Sequence, residues 1–225
     1  RCPYEEVILS CAIGAGKSAV SSVSIAYELY KLLLLKDANK YYNLLATDTI
    51  VFMLFAATQG TATDVNWGYI SNILAISPFF QKNLDFKETK AQYIALTSNI
   101  GIQIGSRAHK ALGKAVLSAV LDEGNFGLVQ DQVKNTYNAI MRRRGSRFKQ
   151  GFKTPGIVWL VSSPQTGEDF INERIEKADG NKDVLVVNEI VTQEELDYNK
   201  TNLNKYIKNQ KLINSMFEVI NCLIP

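Results

Sequence analysis

Residues 11–18 read Cys-Ala-Ile-Gly-Ala-Gly-Lys-Ser, a loop of small residues that ends in an amine and a hydroxyl. This is the pattern G-x-x-x-x-G-K-[ST] with Cys11 at its first position. Such a loop turns backbone N–H groups onto phosphate oxygens, and a helix beginning at Lys17 aims its positive dipole end at the same anion. Lys17 is then placed to reach the β- and γ-phosphates of a nucleotide, and Ser18 to ligate Mg²⁺. Gly14 and Gly16, with the small Ala15 between them, permit left-handed backbone angles and close approach of a ligand. About a hundred residues further on, the apolar run from Ala115 to Leu121 ends in Asp122-Glu123. Ligands of parallel sheets sit beyond the carboxyl ends of the strands. Asp122 at such an end can hold Mg²⁺ through water, and Glu123 can orient and polarise the water that attacks a γ-phosphate.

These residues need strands and helices that bring them together. Glu6–Cys11 is a short, mostly apolar run before the loop, and Lys17 to about Leu35 repeats apolar residues at helical spacing. Asp37–Lys40 closes that helix as a turn. Thr49–Ala57 is apolar throughout, as in a strand buried on both faces. Thr63–Ile76 reads as a helix stopped by Ser77-Pro78. Tyr93–Thr97 and Ile100–Ile104 form short strands around Ser98-Asn99. The spacing predicts a strand over Lys114–Leu121, a helix over Asp131–Arg144, a basic loop over Gly145–Lys153, and a strand over Ile157–Ser162. A helix over Glu168–Ala178 and a strand over Val184–Asn188 complete the series. The alternation predicts an α/β domain with a mostly parallel central sheet flanked by helices.

Other clusters carry less specific signals. By spacing alone, Ser162-Ser163-Pro164 reads as an ordinary strand-to-turn transition. Arg142, Arg143, Arg144, Arg147, Lys149 and Lys153 are six basic residues in twelve with no acid among them. They fit contact with a phosphate backbone, an arginine finger, or a solvated basic helix end. The net charge of +3 makes any nucleic-acid surface local. The single histidine, His109, excludes a multi-His metal site. Cys2, Cys11 and Cys222 are three widely spaced cysteines, as in a reduced intracellular protein without a disulfide framework or zinc knuckle. The longest apolar stretch, about Ile50–Thr58, is half of what crosses a bilayer, so no membrane partner is expected. The chain begins at Arg1 without a secretory leader and reads as a fragment of a longer polypeptide.

In order, four stretches resemble the ATPase domain of the large terminase subunit of tailed phages, the motor that packages DNA. They are Ala12–Ser18 with Ile25–Tyr30; Ala57-Thr58-Gln59 through Trp67–Ile70 to Ser77–Phe80; Val120–Glu123 with Asn125-Phe126; and Tyr137–Arg144 with Ser146–Phe148, Pro155-Gly156, Val161–Pro164 and Asp169-Phe170. The resemblance implies a P-loop NTPase of the ASCE type over residues 1–190, followed at 191–225 by a helix and linker leading toward a nuclease domain that is absent here. It implies that Gly14, Ala15, Gly16, Lys17 and Ser18 bind ATP, that Ser18 and Asp122 bind Mg²⁺, and that Glu123 is the catalytic carboxylate. Ser162, Ser163 and Pro164 would couple hydrolysis to DNA movement. Further implied are double-stranded DNA, a portal protein and the small terminase subunit as partners, a homo-oligomeric ring, and a site in the host cytoplasm docked on the procapsid. The phosphate loop lacks the arginine that many members carry, which leaves Arg107 or the Arg142–Arg147 cluster as finger candidates. Arg142, Arg143, Arg144, Arg147 and Lys149 stand as the DNA-contacting set. Two alternatives remain: a helicase-like nucleic-acid-dependent ATPase, or a non-hydrolysing P-loop scaffold, which Cys11 and the missing arginine favour.

Overall fold

The computed structural model describes residues 3–11, 16–56, 60, 62–84, 87–90, 93–97, 99–105, 114–122, 130–163 and 170–189. Eight strands form one sheet: β1 (Glu6–Cys11), β2 (Ile50–Phe55), β3 (Lys87–Lys90), β4 (Tyr93–Ala95), β5 (Ile100–Gly105), β6 (Ala115–Asp122), β7 (Val158–Ser162) and β8 (Val184–Glu189). Their spatial order is β3-β4-β5-β2-β6-β7-β1-β8. The pairs from β5 to β8 are all parallel, and β4 and β3 extend the edge in antiparallel fashion. β1, β2, β5, β6 and β7 are buried along their whole length. That explains why β1, β2, β6 and β7 are mostly apolar runs, whereas β5 alternates Ile100, Ile102 and Ile104 with Gly101, Gln103 and Gly105.

Helices cover both faces. On one lie α1 (Lys17–Leu33), the four-residue α2 (Ala38–Tyr41), a π-helical segment (Ala62–Trp67), α3 (Gly68–Ile76) and α4 (Pro78–Asn83). Ile25, Leu29 and Leu32 of α1, at helical spacing, join Val7, Leu9, Phe52, Leu54, Val120 and Trp159 in this core. On the other face α5 (Gln130–Phe148) and α6 (Phe170–Ala178) bury Val133, Tyr137, Ile140, Phe170 and Ile171 against Ile8, Met53, Ala119, Leu121 and Leu160. Tyr137 donates to Glu6 Oε2 at 2.9 Å and Arg174 clamps the same carboxylate at 2.6 and 3.2 Å, tying α5 and α6 to β1.

Several expectations are corrected. Asp37–Lys40 is not a bare turn: the Asp37 carboxylate accepts from Lys40 N at 2.9 Å and caps α2. The helix expected over Thr63–Ile76 opens with a π turn, which periodicity alone does not reveal. β3 was not anticipated, being four polar residues on a sheet edge. The helix expected to stop at Arg144 runs on to Phe148, so the first part of the expected basic loop is helical. Phe148 is 1% exposed and supplies the apolar contact that continues the helix past Gly145. No described helix is long and apolar enough to cross a membrane.

Candidate functional site

The sheet order sets β7 between β1, which leads into the small-residue loop, and β6, which carries the acid. Strand spacing is about 4.8 Å, so β1 and β6 lie roughly 10 Å apart at their carboxyl ends. The first turn of α1 bridges that gap. Ser18 Oγ donates to Asp122 Oδ2 at 2.8 Å across 104 residues of sequence. Lys17 Nζ donates to the Cys11 carbonyl at 2.7 Å and to Ser163 Oγ at 3.2 Å, so its ammonium rests on the tips of β1 and β7. Lys17, Asp122, Ser162 and Ser163 are all at most 8% exposed. A buried lysine, a hydroxyl and a carboxylate thus meet at the amino end of a long helix, where the backbone dipole favours an anion.

Local sequence explains the turn into α1. Gly16 is the N-cap residue, with φ of 81°. A Cβ there would touch nothing within 4 Å, so the left-handed backbone rather than crowding calls for glycine. Ser21 and Ser22 donate to the Ser18 carbonyl at 3.1 and 2.7 Å, steadying the first turn. Cys11 is the buried last residue of β1. Among described non-glycine residues only Asn43 has a positive φ, so Cys11 sits in ordinary strand geometry.

Gly16, Lys17, Ser18, Asp122, Ser162 and Ser163 therefore come together. Gly14, Ala15, Glu123, Arg107 and Pro164 lie outside the described residues, as does His109. The Ser162-Ser163 turn is more than a strand end, because the Ser163 hydroxyl touches the loop lysine. The signal was present in the sequence only as two hydroxyls closing a strand.

The basic cluster is a correction. Arg144 is fully buried and faces no ligand surface. It donates to the carbonyls of Leu117 (3.0 Å), Glu5 (3.4 Å), Thr154 (3.4 Å), Pro155 (3.2 Å) and Gly156 (2.6 Å). Burial pulls its pKa down to about 10, opposed by Glu5, so it stays charged near neutrality. It cannot contact DNA. Arg147 pairs with Asp48 at 3.1 Å, just ahead of β2. These partners precede β1, β2 and β7 or open β6, which puts both arginines at the amino edge of the sheet. That is the edge opposite Lys17, so neither serves as a finger within its own chain. Arg142 and Lys149 are exposed and Arg143 is partly exposed.

The domain model described as "Uncharacterized protein MJ0330, N-terminal P-loop domain" matches residues 3–219. The chain belongs to this family. No curated protein matches it. Among solved structures it is similar to the HK97 bacteriophage large terminase, at 15% identity and a TM-score of 0.57 over 85% of this chain and 36% of that one. It is also similar to the large terminase of a thermophilic bacteriophage in complex with ADP, at 11% identity and a TM-score of 0.54 over 87% of this chain and 44% of that one. A third is the ATPase domain of a Thermus phage large terminase, at 12% identity and a TM-score of 0.51 over 76% and 63% of the two chains. The chain thus spans less than half of the first two proteins. The resemblance carried by the sequence is borne out as a shared fold, an α/β P-loop NTPase with the extra strand β7 of the ASCE type.

Proposed function

We propose that this domain binds ATP with Mg²⁺ and hydrolyses it to drive movement of double-stranded DNA, as the motor part of a packaging terminase. The observation that carries the reading is the Ser18–Asp122 hydrogen bond of 2.8 Å beside the buried Lys17. A hydroxyl and a carboxylate make a hard oxygen pair, the donor type Mg²⁺ prefers, and they would hold it together with phosphate oxygens and water. A Mg²⁺ ion held by Ser18 and Asp122 would supply positive charge to offset what develops on the transferred phosphoryl group. Lys17 and the backbone of residues 14–18 bind the phosphates. Glu123, next after Asp122, orients the attacking water and draws off its proton. Ser163 meets the Lys17 ammonium, so β7 registers a change at the phosphates and carries it into Ser162-Ser163-Pro164. The proposed motor is a ring of subunits on a portal, in host cytoplasm, with an arginine supplied by a neighbour or by Arg107.

The test is steady-state ATP hydrolysis by the full-length protein, with and without duplex DNA. Hydrolysis that rises with DNA is expected; an inert wild type overturns the motor reading. The DNA surface has its own test. With Arg144 inside the fold and Arg147 paired, Arg142, Arg143 and Lys149 are the members left to meet phosphates. Replacing all three by Gln should flatten the salt dependence of duplex binding, lowering the log–log slope by about 0.9 per lost contact. An unchanged slope removes this face from the DNA path.

A further inference from the structure

The registers of β6 contain an irregularity that decides where Asp122 points. Val51 of β2 pairs with Val116, but Phe52 pairs with Ser118, so Leu117 is an extra residue. Leu117 and Ser118 together oppose Phe52, the arrangement of a β-bulge. The core assignments show the consequence. Ala115 and Leu117 face the α1 side and Val116 the α5 side. Beyond the bulge the phase is inverted: Ala119 and Leu121 face α5, and Val120 faces α1. Asp122, in register with Val161, therefore lies on the α1 side, where Ser18 meets it. With strict alternation from Ala115 it would lie on the α5 side, away from the phosphate loop.

Hydrophobic patterning does not set this phase, because β6 is buried on both faces and Ala119, Val120 and Leu121 fit either. Polar contacts do. Arg144 Nε donates to the Leu117 carbonyl at 3.0 Å, and its Nη2 donates to the carbonyls of residues 154–156. Ser118 Oγ accepts from Ile157 N at 3.0 Å. Gly156, at φ +83°, lies so close that a Cβ would stand 2.2 Å from the Leu117 carbonyl oxygen and 2.7 Å from Ser118 Oγ.

We infer that Arg144, with Gly156, is a positioning residue for the metal-binding carboxylate: it fixes the Leu117–Ser118 bulge and so turns Asp122 toward Ser18 from the far edge of the sheet. The inference rests on the ATPase reading for its consequence but not for its geometry. ADP affinity, measured with Mg²⁺ and with EDTA, reads the consequence. In the full-length Arg144→Met protein the gain in affinity from Mg²⁺ should shrink by about ten-fold or more, the usual effect of losing an outer support of a metal ligand. Affinity in EDTA, set by Lys17 and the loop, should hold. Gly156→Ala reaches the same bulge from the other side, is the second variant should Arg144→Met not fold, and should show the same selective loss. A crystal structure of either variant reads the register with no nucleotide at all, and Phe52 is expected opposite Leu117. A retained Phe52–Ser118 pairing, an unchanged Mg²⁺ gain, or an equal fall of both affinities overturns the inference. A wild type that binds no ADP counts against the ATPase reading alone, and the register then decides this one.

Discussion

Replacing Glu123 by Gln should lower kcat for ATP hydrolysis by about 10²–10⁴-fold, the range for losing a positioned general base. The substitution keeps the shape of the side chain and removes its charge. Binding should survive, because Lys17, Ser18 and Asp122 are the proposed holders of the phosphates and metal. The affinity for Mg²⁺–ATP, measured by direct titration, should therefore stay within a few-fold. A single-turnover experiment separates the two quantities, since chemistry slows while the bound fraction does not. A loss of less than ten-fold in kcat, or a parallel collapse of binding, would take Glu123 out of the reacting centre.

The largest stability effect is expected at Trp159. It is fully buried as the second residue of β7, in register with Val7 of β1 on one side and Val120 of β6 on the other. Its indole N–H donates to Ser24 Oγ at 3.0 Å, fastening α1 to the sheet six residues after Ser18. Trp159→Ala should destabilise by about 3–5 kcal/mol through lost contact and the cavity left behind. The stranded Ser24 hydroxyl adds about 1 kcal/mol or more. In a domain of this size that lowers Tm by roughly 10 °C. Urea unfolding should move to a lower midpoint at unchanged slope. A shift worth less than about 1 kcal/mol would mean that the indole is not packed as described.

The strands that hold the site were readable because a parallel strand covered on both faces is apolar for most of its length, as Val7–Leu9 of β1, all of β2 and Val158–Val161 of β7 are. The pairing of Ser18 with Asp122 was readable from residue types and order. Three things were not. Arg144 looks like its neighbours Arg142 and Arg143 in a string of letters, and only the helix phase sends it inward while Arg142 stays out. Gly145 suggested a loop, whereas Phe148 and the five carbonyls around Arg144 hold the helix together across it. The bulge in β6 leaves no composition signal, since every residue from Ala115 to Leu121 except Ser118 is apolar.

Because β7 is the spacer between the two strands that share the phosphate-side chemistry, the site is completed late as the chain is made. A nascent chain that ends before Val158 already carries Lys17, Ser18, Asp122 and Glu123, yet nothing holds their strands two places apart. Under the proposed function, competence for ligand follows the docking of the segment through Ser163 into that slot. Until that segment docks, the groups proposed to hold the nucleotide are made but not yet set at a fixed spacing.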